Sequence, residues 1–214
     1  MKRITHRVQL ACLALSSASR TTQNFCANSA LIFQPSLDLM RTKRLSARKN
    51  DVEAMGNLQD GEIYENGEEI EIAYEEHSLI EGFELVCLFS LVYLVAQVQV
   101  FFDDLLQSCG WPACKKPGFP LAAYRSVIET RAQFSFHERK ECFEFIREII
   151  LARNDFTHNS GYVSPRYAHE IPSPRFVRDD RIVFTMQDVQ QAIELCDQFA
   201  EFIASKCLPF SKAI

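Results

Sequence analysis

The sequence predicts an all-α fold, three or four helices joined by irregular connectors in an up-down bundle. Three observations predict it. Apolar residues recur at steps of three and four within 78–108, 142–156 and 189–203. Capping boxes stand at Ser135–Glu138 and Thr185–Asp188, where two of those runs begin. Between the runs lie connectors rich in Gly and Pro, at Cys109–Pro120 and at 159–184 with Pro165, Pro172 and Pro174.

A chain of 214 residues, 47% of them hydrophobic, supports one domain with extensions or two small domains. Its net charge of −5 hides a segregation. Residues 1–50 carry nine Lys or Arg and one acid, Asp38. From Asp51 to Cys114 there are fourteen acids and no Lys or Arg, and the rest is nearly balanced. Blocks this different predict separate structural units.

Along the chain, residues 1–50 are Ser-, Thr- and Arg-rich without clear periodicity. The start resembles a secretory signal, but its apolar run, Val8 to Leu15, is short and broken by Gln9. A disordered basic tail, or translated sequence ahead of a true start at Met40 or Met55, fits better. Residues 51–77 form an acidic lead-in, either frayed or turned into a hairpin at Asn66-Gly67 between I-Y-E and E-E-I-E-I.

The helical domain is expected over 78–207, followed by a tail at 208–214. Its long first helix, Ser78 to Ser108, buries Leu79, Phe83, Val86, Cys87, Ser90, Leu94, Val98, Phe101 and Leu105. Phe83 to Phe102 is long enough to cross a bilayer. Glu84, Ser90, Gln97 and Gln99 lie inside it, and no Lys or Arg bias flanks it, so a buried core helix is the preferred reading. A short helix follows over Leu121–Gln133. The next runs from the Ser135 cap to about Thr157 and is ended by Gly161, with Cys142, Phe145, Ile146, Ile149, Ile150 and Phe156 buried. The last runs to about Cys207 and buries Val189, Ile193, Cys196, Phe199, Ala200 and Ile203.

None of the eight cysteines forms a C-x-x-C pair, and Cys109 and Cys114 lack two further ligands for zinc, so reduced thiols and no metal are expected. There is no Walker loop, dinucleotide fingerprint or H-E-x-x-H, and no G-x-S-x-G elbow, so no cofactor is expected.

The chemistry concentrates in I-L-A-R-N-D-F-T-H-N-S-G, residues 150–161. Arg153 lies three positions past Ile150 and continues the buried stripe. Asn154 and His158, four apart, share a neighbouring face. A permanently charged guanidinium on a buried stripe calls for a cleft, a partner or an anion, and an imidazole beside it can move protons near neutral pH. The plainer alternative pairs Arg153 with an acid such as Glu148 and caps the helix end with His158.

The segment R-N-D-F-T-H-N-S-G resembles the R-x4-6-H signature of the HEPN superfamily, in which Asn, Asp or His often follows the Arg. The helix order over about Ser78 to Cys207 is also similar to that family. The resemblance implies an HEPN-like bundle working as a homodimer. It further implies a metal-independent endoribonuclease of the toxin or defence kind, with Arg153, Asn154 and His158 catalytic at a composite site and 2′,3′-cyclic phosphate ends as product. The wording R-N-D-F-T-H also resembles the mannitol-operon-repressor group, which implies instead a non-catalytic regulator binding nucleotides or partners. Toxin-type members often carry a Tyr two residues after the His. Here Ser160 stands there, which places modification by an antitoxin partner in doubt.

The loop 159–184 interleaves Arg166, Arg175, Arg178 and Arg181 with Tyr162, Tyr167 and Phe176, a composition that can grip single-stranded RNA. Asp179 and Asp180 dilute its charge, so a merely solvated loop also fits. The expected partners are RNA, a second copy of the chain and an antitoxin or regulatory protein, with no membrane, in the cytoplasm.

Overall fold

In the computed structural model, which describes residues 5–56, 68–114 and 121–210, the basic N-terminal block is a helix. Helix α1 spans Thr5–Gly56 and α2 spans Glu68–Cys109. They are followed by α3 (Leu121–Ala132), a 3-10 turn (Phe136–Arg139), α4 (Lys140–His158), α5 (Pro165–Glu170), strands β1 (Val177–Arg178) and β2 (Arg181–Ile182), α6 (Met186–Cys207) and a 3-10 turn at Leu208–Phe210. The fold is all-α as the periodicity predicts, with one two-residue antiparallel ribbon.

Two expectations are corrected. A disordered basic tail was one expectation for residues 1–50. Instead α1 buries Val8, Ala11, Leu15, Ala18, Ser19, Thr22, Cys26 and Ser29 at steps of three and four. Glu68–Ile72, the second arm of the expected hairpin, is the start of α2; its first arm and the Asn66-Gly67 turn lie outside the described residues.

The chain divides into two compact units, Met1–Asn24 with Cys87–Ile214, and Phe25–Val86. In the Phe25–Val86 unit, α1 and α2 run antiparallel. The Phe33 and Phe83 rings meet at 5.5 Å. Further along, Arg41 and Arg44 donate to the carboxylate of Glu76 at 3.3 and 3.1 Å, and Arg44 also lies 3.5 Å from Glu69. The Glu69 backbone N–H donates to Asp51 at 3.0 Å. Within this unit the end of the basic block and the described start of the acidic one, expected to be separate units, are thus the two arms of one pair. Opposite charges attract across the seam, and Glu76, 8% exposed, is neutralised by two guanidiniums.

The other unit holds the larger core. The C-terminal half of α2 buries two adjoining rows, Leu91, Leu94, Val98, Phe101 and Leu105 beside Leu88, Val95, Phe102 and Leu106. This face is wider than the predicted stripe. An 18-residue window of α2 is apolar and long enough to cross a membrane, and half of it is buried within the protein. Phe102 stacks on Tyr124 of α3 at 5.1 Å and meets Phe199 of α6 edge-on. Phe199 also takes the Phe136 ring edge-on at 5.1 Å, which closes an aromatic core between α2, α3 and α6. The first part of α1 joins this core through Ser19, whose hydroxyl donates to Asp197 of α6 at 2.8 Å.

Candidate active site

Helix α4 carries the site, and its register is set at its start. Ser135 accepts from the His137 backbone N–H while the Glu138 carboxylate accepts from the Ser135 N–H. The predicted capping box is therefore formed, and it opens a 3-10 turn that leads into α4. The stripe Cys142, Phe145, Ile146, Ile149 and Ile150 is buried as predicted, while Phe156 is half-buried. This fixes the rotation of α4 and so the directions of the residues one and two turns on.

Arg153 continues that stripe and is half-buried. Its Nη1 donates to Asn154 Oδ1 at 3.0 Å. Its Nε is buried with no hydrogen-bond partner, and among the described residues no carboxylate lies within ion-pair distance of the guanidinium. Glu148, the acid that the plainer reading would assign to it, is occupied elsewhere. A buried donor left unpaired costs about 1–3 kcal/mol, so it persists where something outside the chain completes it. Asn154 is half-buried and His158 is exposed at the last residue of α4. The Thr157 hydroxyl donates back to the Arg153 and Asn154 carbonyls.

The helix ends beyond His158. The Asp155 carbonyl accepts from the Asn159 and Gly161 N–H groups, with Ser160 at φ 54° and Gly161 at φ 82°. Gly161 thus takes the left-handed conformation expected of it, against the Phe156 ring. Immediately after it the chain folds back on α4.

The segment 159–184 is not a solvated loop. Tyr167, Ile171, Phe176, Ile182 and Phe184 are buried, and Asp179-Asp180 at positive φ turn the β1–β2 ribbon. Two buried carboxylates of α4 hold it. Glu148 accepts from the Tyr167 hydroxyl at 3.1 Å and from the Arg175 N–H at 2.6 Å. Asp155 accepts from the Ser164 N–H at 2.7 Å. Sequence reasoning passed over Asp155 and offered Glu148 only as a partner for Arg153, although each sits on the apolar side of α4 where an unpaired carboxylate would be untenable.

The expected RNA-gripping set is divided accordingly. Phe176 and Tyr167, at 1% and 0% exposed, have no face for a base to stack on, which corrects the interleaved-aromatic pattern. Arg175 lies over the Phe145 ring at 5.0 Å, with Glu148 3.8 Å away. Arg166 is paired with Glu170 at 2.7 Å. Tyr162 is exposed, with the Arg181 guanidinium over its ring at 5.7 Å. Arg178 is exposed and pairs in register with Arg181 across the ribbon, which sets two cations side by side.

Among the described residues no group of three His, Cys, Asp or Glu is arranged to hold a metal. Compared with family models, with curated proteins and with solved structures, the chain matches none.

Proposed function

We propose that this protein is a metal-independent endoribonuclease of the HEPN type, acting in the cytoplasm as a homodimer. The observation that carries the reading is the Arg153 guanidinium, which is half-buried, short of a partner at Nε and unpaired with any acid among the described residues. It is a cation with no acid paired to it among the described residues, on the same helix end as an exposed imidazole and on the motif the sequence singles out. A phosphodiester supplies an anion for it.

The chemistry follows from the residues. His158 accepts the proton of a ribose 2′-hydroxyl, whose oxygen bonds to phosphorus as the bond from phosphorus to the 5′-oxygen breaks. The leaving 5′-oxygen takes up a proton, from His158 of the same or the second copy. Arg153 faces the charge that grows on the phosphoryl oxygens, and Asn154 holds the guanidinium through Oδ1. The products are a 2′,3′-cyclic phosphate and a 5′-hydroxyl. A two-fold axis near the end of α4 would bring two such sets to one groove.

The test is cleavage of RNA in EDTA by wild type, Arg153→Ala and His158→Ala. Loss of a general acid–base group costs about 10²–10⁴-fold in rate, and that loss is expected in the His158 variant, with a comparable loss in the other. A wild type that dimerises but leaves RNA intact overturns the enzyme and favours the regulator. Equal cleavage by all three proteins refutes the assigned residues.

A further inference from the structure

A groove of about 390 Å³ opens beside the motif, between α3, α4 and α5. Its floor is apolar, made by Leu121 of α3 and by Phe143, Ile150 and Leu151 of α4. Planar cations edge it. The Arg125 guanidinium lies 5.1 Å above the Phe143 ring. On the opposite rim Glu170 accepts from Arg147 at 2.8 Å and from Arg166 at 2.7 Å, and Arg147 also donates to Glu144 at 3.3 Å.

The groove shares its α4 face with the motif. Arg147, Leu151, Asn154 and His158 follow one another at steps of four, three and four, so they form one row. At the rise of an α-helix, Asn154 lies roughly 5 Å and His158 roughly 10 Å along the axis from Leu151. A nucleotide whose phosphate met Arg153 and His158 would place a neighbouring base over this groove.

Resting on the ribonuclease reading, we infer that the groove seats a guanine base of the RNA next to the scissile phosphate. An apolar floor edged by arginines suits a nucleobase better than a phosphate. Two carboxylates in the rim repel a phosphate but accept from N–H groups. Each oxygen of Glu170 takes one arginine bond, which leaves a lone pair on each. Guanine alone presents acceptors for arginine at O6 and N7 together with donors at N1 and N2 for a carboxylate. Arg147 or Arg166 and Glu170 or Glu144 meet both edges. Adenine and cytosine lack part of this set, and uracil lacks the amino group.

The test uses the full chain with GMP, AMP, CMP and UMP by calorimetry, and sequencing of the ends cut from an RNA of random sequence. Ala122 is exposed and lines the groove, so Ala122→Trp fills it without entering the core. Glu144→Gln, at a half-exposed position, is the second variant. GMP is expected to bind more tightly than the other three, and either variant to weaken it about tenfold or more, the size of one bidentate base contact. Wild-type cuts are expected to carry G at one fixed position, a preference that Ala122→Trp loses while still cutting RNA. Equal binding of all four nucleotides, or GMP binding unchanged in both variants, overturns the groove even where RNA is cleaved. GMP binding that the variants abolish, in a protein that never cleaves RNA, upholds the groove and removes the ribonuclease.

Discussion

At the scale of single residues, the buried acids of α4 do opposite work from the half-buried cation. Glu148 and Asp155 are satisfied from within the chain and fix the 159–184 segment, whereas Arg153 is left short. Glu148→Ala strands the Tyr167 hydroxyl and the Arg175 N–H. It should cost about 2 kcal/mol or more, read from urea unfolding, and an unchanged midpoint would remove the staple. Asp197 gives a test through pH. Burial pushes its carboxyl above the ordinary 3.8, aided by Glu201 and opposed by the Ser19 hydrogen bond and by Arg20. The folded form therefore holds the proton more firmly than the unfolded one, and stability is lost as pH rises through the folded value. Asp197→Asn keeps an acceptor for Ser19 and removes that cost. Its melting temperature should exceed that of wild type at pH 7, with the gap closing below about pH 3.8. A constant gap at all pH would show that ionisation plays no part. The half-buried place of Arg153 was legible because a guanidinium continues an apolar stripe. The partners of Glu148 and Asp155 were not, because nothing local says which acid on a helix has a distant N–H to receive.

At the scale of elements, the predicted helices and caps of the C-terminal half stand close to where periodicity puts them. Strong apolar stripes and local capping bonds both lie within a short window of sequence. Helix α1 escaped because its seam is made of small residues. Ala18, Ser19, Thr22, Cys26 and Ser29 read as a polar tract, yet they are what faces inward. Small side chains allow close approach of helices, and a pattern sought in large apolar residues misses them. The 159–184 segment was misread for another reason. Its ribbon has only two residues per strand, too few for alternation to show, and its buried aromatics resemble exposed binding residues until α4 is in place to cover them.

At the scale of the whole molecule, charge segregation is a pairing rule. The basic arm of α1 and the acidic arm of α2 attract along the Phe25–Val86 unit, where Arg41 and Arg44 are roughly half-exposed and hence open to screening. Raising salt to about 1 M, where screening extends only about 3 Å, should speed amide exchange in 38–48 and 69–76 while α4 and α6 keep their protection. Exchange insensitive to salt would show that apolar contacts such as Phe33–Phe83 suffice. The account rests finally on Arg153, unpaired with any acid among the described residues, on the same helix end as His158. The most direct measurement is the mass of the 3′ ends left on an RNA after incubation with the wild-type protein in EDTA. It is predicted to show 2′,3′-cyclic phosphate, absent with His158→Ala; 3′-hydroxyl ends, or uncut RNA, would contradict it.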